Sequence, residues 1–88
     1  MNSFEKRVCN TIRATADWLP SDQIITDRHS LRKDLGFDSL AIVHLQVAIE
    51  DEFEIRFDPV STDFITVFET VGSLSNFLST IKPTKEIL

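Results

Sequence analysis

A chain of 88 residues with 42 % hydrophobic and 26 % charged side chains has room for one core, which excludes a multidomain enzyme and a disordered polymer alike. Its formal charge of −5 is unevenly spread: residues 1–33 hold six Lys/Arg against four Asp/Glu, whereas residues 34–69 hold Arg56 against nine acids. That acidic middle would repel a phosphate backbone, which makes nucleic acid a poor partner for it. It leaves two readings of the charge, a face for basic protein surfaces or an acidic balance kept for solubility.

No apolar run approaches a membrane span, and the opening MNSFEKRVCN lacks the apolar core of a signal peptide. A cytoplasmic location without membrane insertion is the expectation. The first predicted helix carries Phe4, Val8, Ile12, Ala16 and Leu19 on one stripe. Asn2 or Ser3 can cap it, Glu5 stands three after Asn2 as in a capping box, and Pro20 closes it. The single cysteine, Cys9, falls on the apolar side as filler, and Trp18 is expected to pack.

Residues 20–38, PSDQIITDRHSLRKDLGFD, form a long connection. Connections of that length in small domains pack down or carry function. Ile24, Ile25, Leu31 and Leu35 supply apolar anchors, with a helical turn expected over Leu31–Leu35, and Gly36 permits the turn that follows.

The second predicted helix begins at Asp38–Ser39 and runs to about Phe53. At about 100° per residue from Leu40, the residues Ile42, Leu45, Ile49 and Phe53 gather on one core stripe. Leu40, His44, Val47 and Asp51 gather on the opposite side and are expected to face water. That strip reads either as a docking surface or as ordinary exposed hydrophobes. The connection EIRFDPVSTDF is expected to hold a short helix near Val60–Phe64. The last helix, capped by Thr70 and ended by Pro83, places Val71, Leu74, Leu78 and Ile81 at helical spacing with Phe77 alongside. The outcome is an all-α fold, a small bundle of four helices of which three are principal and one short. Residues 1–88 are expected to form one domain, with its ordered core at about 3–82 and a tail at 83–88.

Nothing in the chain assembles a catalytic or metal centre. There is no G-x-S-x-G elbow, no Walker loop and no Cys/His metal spacing, and neither His29 nor His44 is placed to serve Ser39 as a base. By itself Ser39 reads as a helix-starting residue.

The stretch DLGFDSL, followed by an apolar–acidic helix ending EDEF, resembles the acyl carrier protein family. The likeness extends over nearly the whole chain, including the spacing of TDRHSLRKDLG and the helix order. It implies that Ser39 is the attachment point for 4′-phosphopantetheine, moved from coenzyme A by a phosphopantetheinyl transferase. That enzyme brings the chemistry, which accounts for the missing base. Asp38 would contact the transferase and its metal as well as cap the helix. The arm would carry acyl intermediates as thioesters, and the protein itself would be no enzyme.

By the same resemblance Leu40, Val47, Glu50 and Asp51 would meet acyl-loading, acyl-transferring or condensing enzymes through their basic patches. Ala41 and His44 stand where fatty-acid carriers have acids, and EIRFDPVSTDFITVFET is longer than the fatty-acid type. Those departures point to a specialised polyketide or fatty-acid-like pathway, with His44 as a specificity residue; the carrier is expected to be a monomer. The rivals are an aminoacyl or peptidyl carrier, and a helical interaction module that never bears the arm.

Overall fold

The computed structural model describes residues 3–81, and side chains from Glu5 onward. The cap expected at Asn2 or Ser3, the packing of Phe4 and the stop at Pro83 lie outside the described residues. Helix α1 spans Ser3–Thr15 and buries Val8, Cys9 and Ile12. It stops short of the expected end at Pro20. Ala16 still donates to the Ile12 carbonyl, but Leu19 donates to Ala16 in a tight turn. Proline at 20 disfavours a helical Leu19, and the chain turns before it.

The connection to α2 packs down as expected, with one correction. Ile25, Leu31, Leu35 and Phe37 are buried, whereas Ile24 is 72 % exposed. Successive side chains of an extended run point to opposite sides, so Ile24 and Ile25 cannot both be anchors. The turn over residues 31–35 is organised by Ser30 and Asp34. Asp34 Oδ2 accepts the Ser30 N–H at 2.6 Å, and Ser30 Oγ accepts the Lys33 N–H at 3.0 Å. The loop is also tied to the distant end of the chain. Leu31 N–H donates to the Glu69 carbonyl at 3.1 Å, Val71 N–H to His29 at 3.0 Å and Gly72 N–H to Asp27 at 2.9 Å.

Helix α2 spans Ser39–Phe53 and buries Ala41, Leu45, Ile49 and Phe53. Ile42, expected in the core stripe, is only half-buried and Ala41 takes the inner position. A stripe centred on Leu45 and Ile49 has Ala41 and Phe53 in line at steps of four, with Ile42 one step off its edge. The helix ends at Glu54, in the left-handed region at φ 56°, whose N–H returns to the Glu50 carbonyl. Against α1, Arg7 forms an ion pair with Glu52 at 3.2 Å and lies 4.5 Å from the centroid of the Phe53 ring.

From the last residue of α2 onward, Phe53, Ile55 and Phe57 are buried while Glu54, Arg56 and Asp58 are exposed. Phe57 sits among Phe64, Phe68 and Phe77, with ring centroids 5.4–5.8 Å away. The short helix α3 occupies Phe64–Val67, not Val60–Phe64. Aspartates decide this shift. Asp58 Oδ1 accepts the Val60 N–H at 2.9 Å and makes a turn there, and Asp63 caps α3 through the Thr66 N–H.

Helix α4 spans Val71–Ser79 and begins with a complete capping box. Thr70 Oγ1 accepts the Ser73 N–H and Ser73 Oγ accepts the Thr70 N–H, each at 3.0 Å. The helix ends before Pro83 is reached, where Ser79 and Thr80 hydroxyls donate to the Asn76 and Phe77 carbonyls. α1 packs on α2 and α4, and α3 packs on α4. Among the described residues the nearest thing to a strand is an isolated bridge between Ser30 and Thr70.

Candidate functional site

Asp38 and Ser39 divide the helix start between them. Asp38 is the N-cap, in extended conformation, and its Oδ1 accepts the Ala41 N–H at 2.8 Å. Ser39 is the first helical residue and is exposed. Its hydroxyl makes no hydrogen bond among the described residues, because Asp38 already fills the capping role. The result is an accessible oxygen at the positive end of a 15-residue helix dipole. An anion attached there would be favoured by the remaining free N–H groups.

The turn that delivers this pair is held from outside. Gly36 sits at φ +78°, a conformation that a side chain disfavours. Trp18 covers it: a Cβ on Gly36 would meet the indole Nε1 at 3.3 Å. The indole N–H donates to the Leu35 carbonyl at 2.8 Å, and the ring meets Phe37 edge-on at 5.0 Å. The tryptophan expected simply to pack thus touches three consecutive residues of the serine-bearing turn.

Down the outer side of α2, Leu40 is 65 % and Val47 59 % exposed, and His44 and Asp51 are exposed with them. Val43 joins the strip at 51 % exposure. Sequence reasoning missed it, although one turn beyond Leu40 its position on the wheel lies close to Val47. Glu50 does not join. Its side chain is 18 % exposed, its Oε2 accepts the Phe57 N–H at 2.9 Å, and Oε1 lies 3.9 Å from Arg56. A residue expected on the partner face therefore holds the chain reversal after the helix.

One turn beyond Ser39, Ile42 forms the edge of a cleft of about 400 Å³. Phe64, Ile65 and Phe68 supply its apolar lining, and Arg32 and Lys33 stand on its loop side. Neither histidine serves Ser39. His29 accepts the Thr26 N–H at Nδ1 over 3.1 Å and its carbonyl receives Val71, so it organises the loop. Among the described residues no group of three His, Cys, Asp or Glu could hold a metal, and no helix is long and apolar enough to cross a membrane. Burial pushes the Cys9 thiol above its ordinary pKa, and hydrogen bonds from Val60 and Ser61 pull the Asp58 carboxyl below its own.

Comparison with known proteins agrees with this geometry. The family described as the phosphopantetheine attachment site matches residues 6–78. The mitochondrial acyl carrier protein of Saccharomyces cerevisiae is 39 % identical over 79 residues, covering 85 % of this chain and 62 % of its own length. The acyl carrier protein of Saccharopolyspora erythraea is 44 % identical over 54 residues, 61 % of this chain and 53 % of its own length. The chain thus spans between half and two thirds of the curated relatives it matches. A solved structure assigned as an acyl carrier protein from Mycobacterium tuberculosis superposes with a TM-score of 0.73 at 32 % identity, covering 86 % of this chain and 95 % of that one. By sequence and by fold, this chain belongs to the acyl carrier protein family, whose members hold phosphopantetheine covalently and act as carriers rather than catalysts.

Proposed function

We propose that this protein is an acyl carrier that bears 4′-phosphopantetheine on Ser39 and presents acyl thioesters to the enzymes of a specialised polyketide or fatty-acid-like pathway. The carrying observation is the division of labour at the helix start. Asp38 caps α2, and the Ser39 hydroxyl is left exposed and uncommitted at the N-terminus. Those residues fit the group: the hydroxyl can carry a phosphodiester and the helix N-terminus favours its charge. The group supplies a thiol, on which cargo is held as a thioester. The chain's own residues anchor the arm, hold the serine-bearing turn in shape and offer a face to partners.

A phosphopantetheinyl transferase is the first such partner, and Asp38 would meet it and its metal. Leu40, Val43, His44 and Val47 give the outer face of α2 an apolar character, with Asp51 at its far end for basic patches on acyl-loading or condensing enzymes. That composition supports a dedicated pathway over bulk lipid synthesis. The cleft beside Ile42 is wide enough to shelter part of the cargo. The carrier is proposed to be monomeric and to act in the cytoplasm.

Intact mass before and after incubation with a transferase and coenzyme A tests the reading. The expected result is one phosphopantetheine added to the wild type and none to Ser39→Ala. Addition to neither leaves a helical interaction module, and addition to both moves the site. Loading the modified protein with synthetases and acyl donors, then weighing the thioester, separates acyl from aminoacyl cargo.

A further inference from the structure

We propose that Trp18 is a positioning residue for Ser39, a clamp that sets the turn through which the serine is offered to the modifying enzyme. The inference rests on the reading that Ser39 takes the arm. It goes further by assigning the rate of that modification to a side chain twenty-one positions earlier in sequence.

The backbone before α2 needs such a clamp. Gly36 is at φ +78° and Asp38 is extended at φ −92°, ψ −175°, so the chain reaches Ser39 through residues outside any helix. Within this stretch the Phe37 N–H bonds to the Leu31 carbonyl at 2.9 Å, and Asp38 bonds forward into α2. The Leu35 carbonyl and the open face of Gly36 are met instead by Trp18. Its indole N–H fixes the carbonyl, its ring covers the glycine, and its face-to-edge contact with Phe37 fixes the next side chain. Core burial does not account for Trp18, which is 46 % exposed. A residue placed for burial alone would be covered, and an indole N–H placed at random would face water. Trp18 lies just past the end of α1, so the clamp couples the first helix to the start of the second.

A turn that samples several conformations offers the competent one for only part of the time, and apparent affinity falls by that fraction. Trp18→Phe keeps the ring contact with Phe37 and removes the donor to Leu35. It is expected to raise KM for modification by a phosphopantetheinyl transferase and coenzyme A by about three- to tenfold, with kcat unchanged, as loss of one neutral hydrogen bond predicts. Trp18→Ala is expected to raise it further. Hydrogen exchange of the Phe37 amide should accelerate in both variants while that of Leu45, in mid-helix, stays as in the wild type. Ile12→Val, a core change of comparable cost to stability, should leave both KM and Phe37 exchange unaltered.

The proposal is overturned if Trp18→Phe leaves KM and Phe37 exchange unchanged. It is also overturned if Ile12→Val raises KM to the same degree, since Trp18 would then act through stability alone. If the wild type itself takes no phosphopantetheine, the reading of Ser39 fails and this inference with it. A modified wild type beside an unaffected Trp18→Phe defeats the clamp alone.

Discussion

Glu50 and Phe57 are joined across the chain reversal that ends α2, the Glu50 carboxylate accepting the Phe57 N–H at 2.9 Å. The same residue's carbonyl receives the N–H groups of Glu54 and Ile55. Glu50 therefore fixes the entry of Phe57 into the aromatic cluster. The sequence reading grouped Glu50 with Asp51 on the face that meets partner enzymes, which would make the two acids alike in their effect on the fold. The expected outcome is now split. Glu50→Ala or Glu50→Lys should lower stability by about 1–3 kcal/mol, the cost of stranding a partly buried donor. Asp51→Lys should stay within about 0.5 kcal/mol of the wild type, as an exposed substitution does. Urea denaturation of the three variants checks both.

Asp38 has two proposed duties that one pair of variants can separate. Asp38→Ala removes the acceptor of the Ala41 N–H and should cost about 1 kcal/mol. Asp38→Asn keeps a capping oxygen and should be nearly neutral to stability. If the carboxylate also meets the transferase's metal, Asp38→Asn should nonetheless slow modification at least tenfold. A rate equal to wild type in Asp38→Asn would confine Asp38 to capping.

The outer strip of α2 carries the docking proposal. Leu40→Ala and Val47→Ala remove side chains that are 65 % and 59 % exposed, so each should shift stability by less than about 1 kcal/mol. Both should raise KM for the transferase or for a loading enzyme, and His44→Ala should alter KM for some partner enzymes and not others. Unchanged kinetics in all three, measured with two partner enzymes, would leave the strip as ordinary surface.

Cys9 offers a pH test. Burial raises its thiol pKa above the ordinary value of 9.0, with Arg13 opposing and Glu5 adding to the shift. The folded state thus favours the neutral thiol. Its contribution to stability is fully present below the unfolded pKa and is lost as pH rises through the raised folded value. Stability should therefore decline above pH 9 in the wild type and less so in Cys9→Ala, as read by denaturant titrations across that range. At pH 8 the native Cys9 should resist alkylation, leaving the thiol of an attached arm as the reactive one.

Helix order was legible because the stripes of α1 and α4 are strong and α2 has a clear start at Asp38–Ser39. But α2 carries apolar residues on both sides, which is why Ile42 was placed in the core and Val43 was missed. Ends were less legible. α3 moved to Phe64–Val67 because Asp58 and Asp63 use their side chains on nearby backbone, a competition that hydrophobic spacing cannot register. Ser39 and Asp38 were visible as a pair, and the resemblance already implied the cap at Asp38 and the hydroxyl at Ser39. The geometry adds the bond from the Ala41 N–H to Asp38 that leaves Ser39 out of the capping role. Glu50 was misplaced, and the hydrogen bond of Trp18, which packs as expected, went unforeseen, for a shared reason. Each acts on a backbone group seven or seventeen residues away, and no periodic pattern encodes such a contact.

The bonds from Leu31 to Glu69, Val71 to His29 and Gly72 to Asp27 close a ring of chain that contains all of α2. Those bonds can form only once residues 69–72 are present to meet residues 27–31. A nascent chain that has emerged only as far as α3 therefore has its serine but not yet the finished loop before it. The native setting of Ser39 is completed by the arrival of residues 69–72, so this carrier matures only after synthesis has passed the start of its last helix.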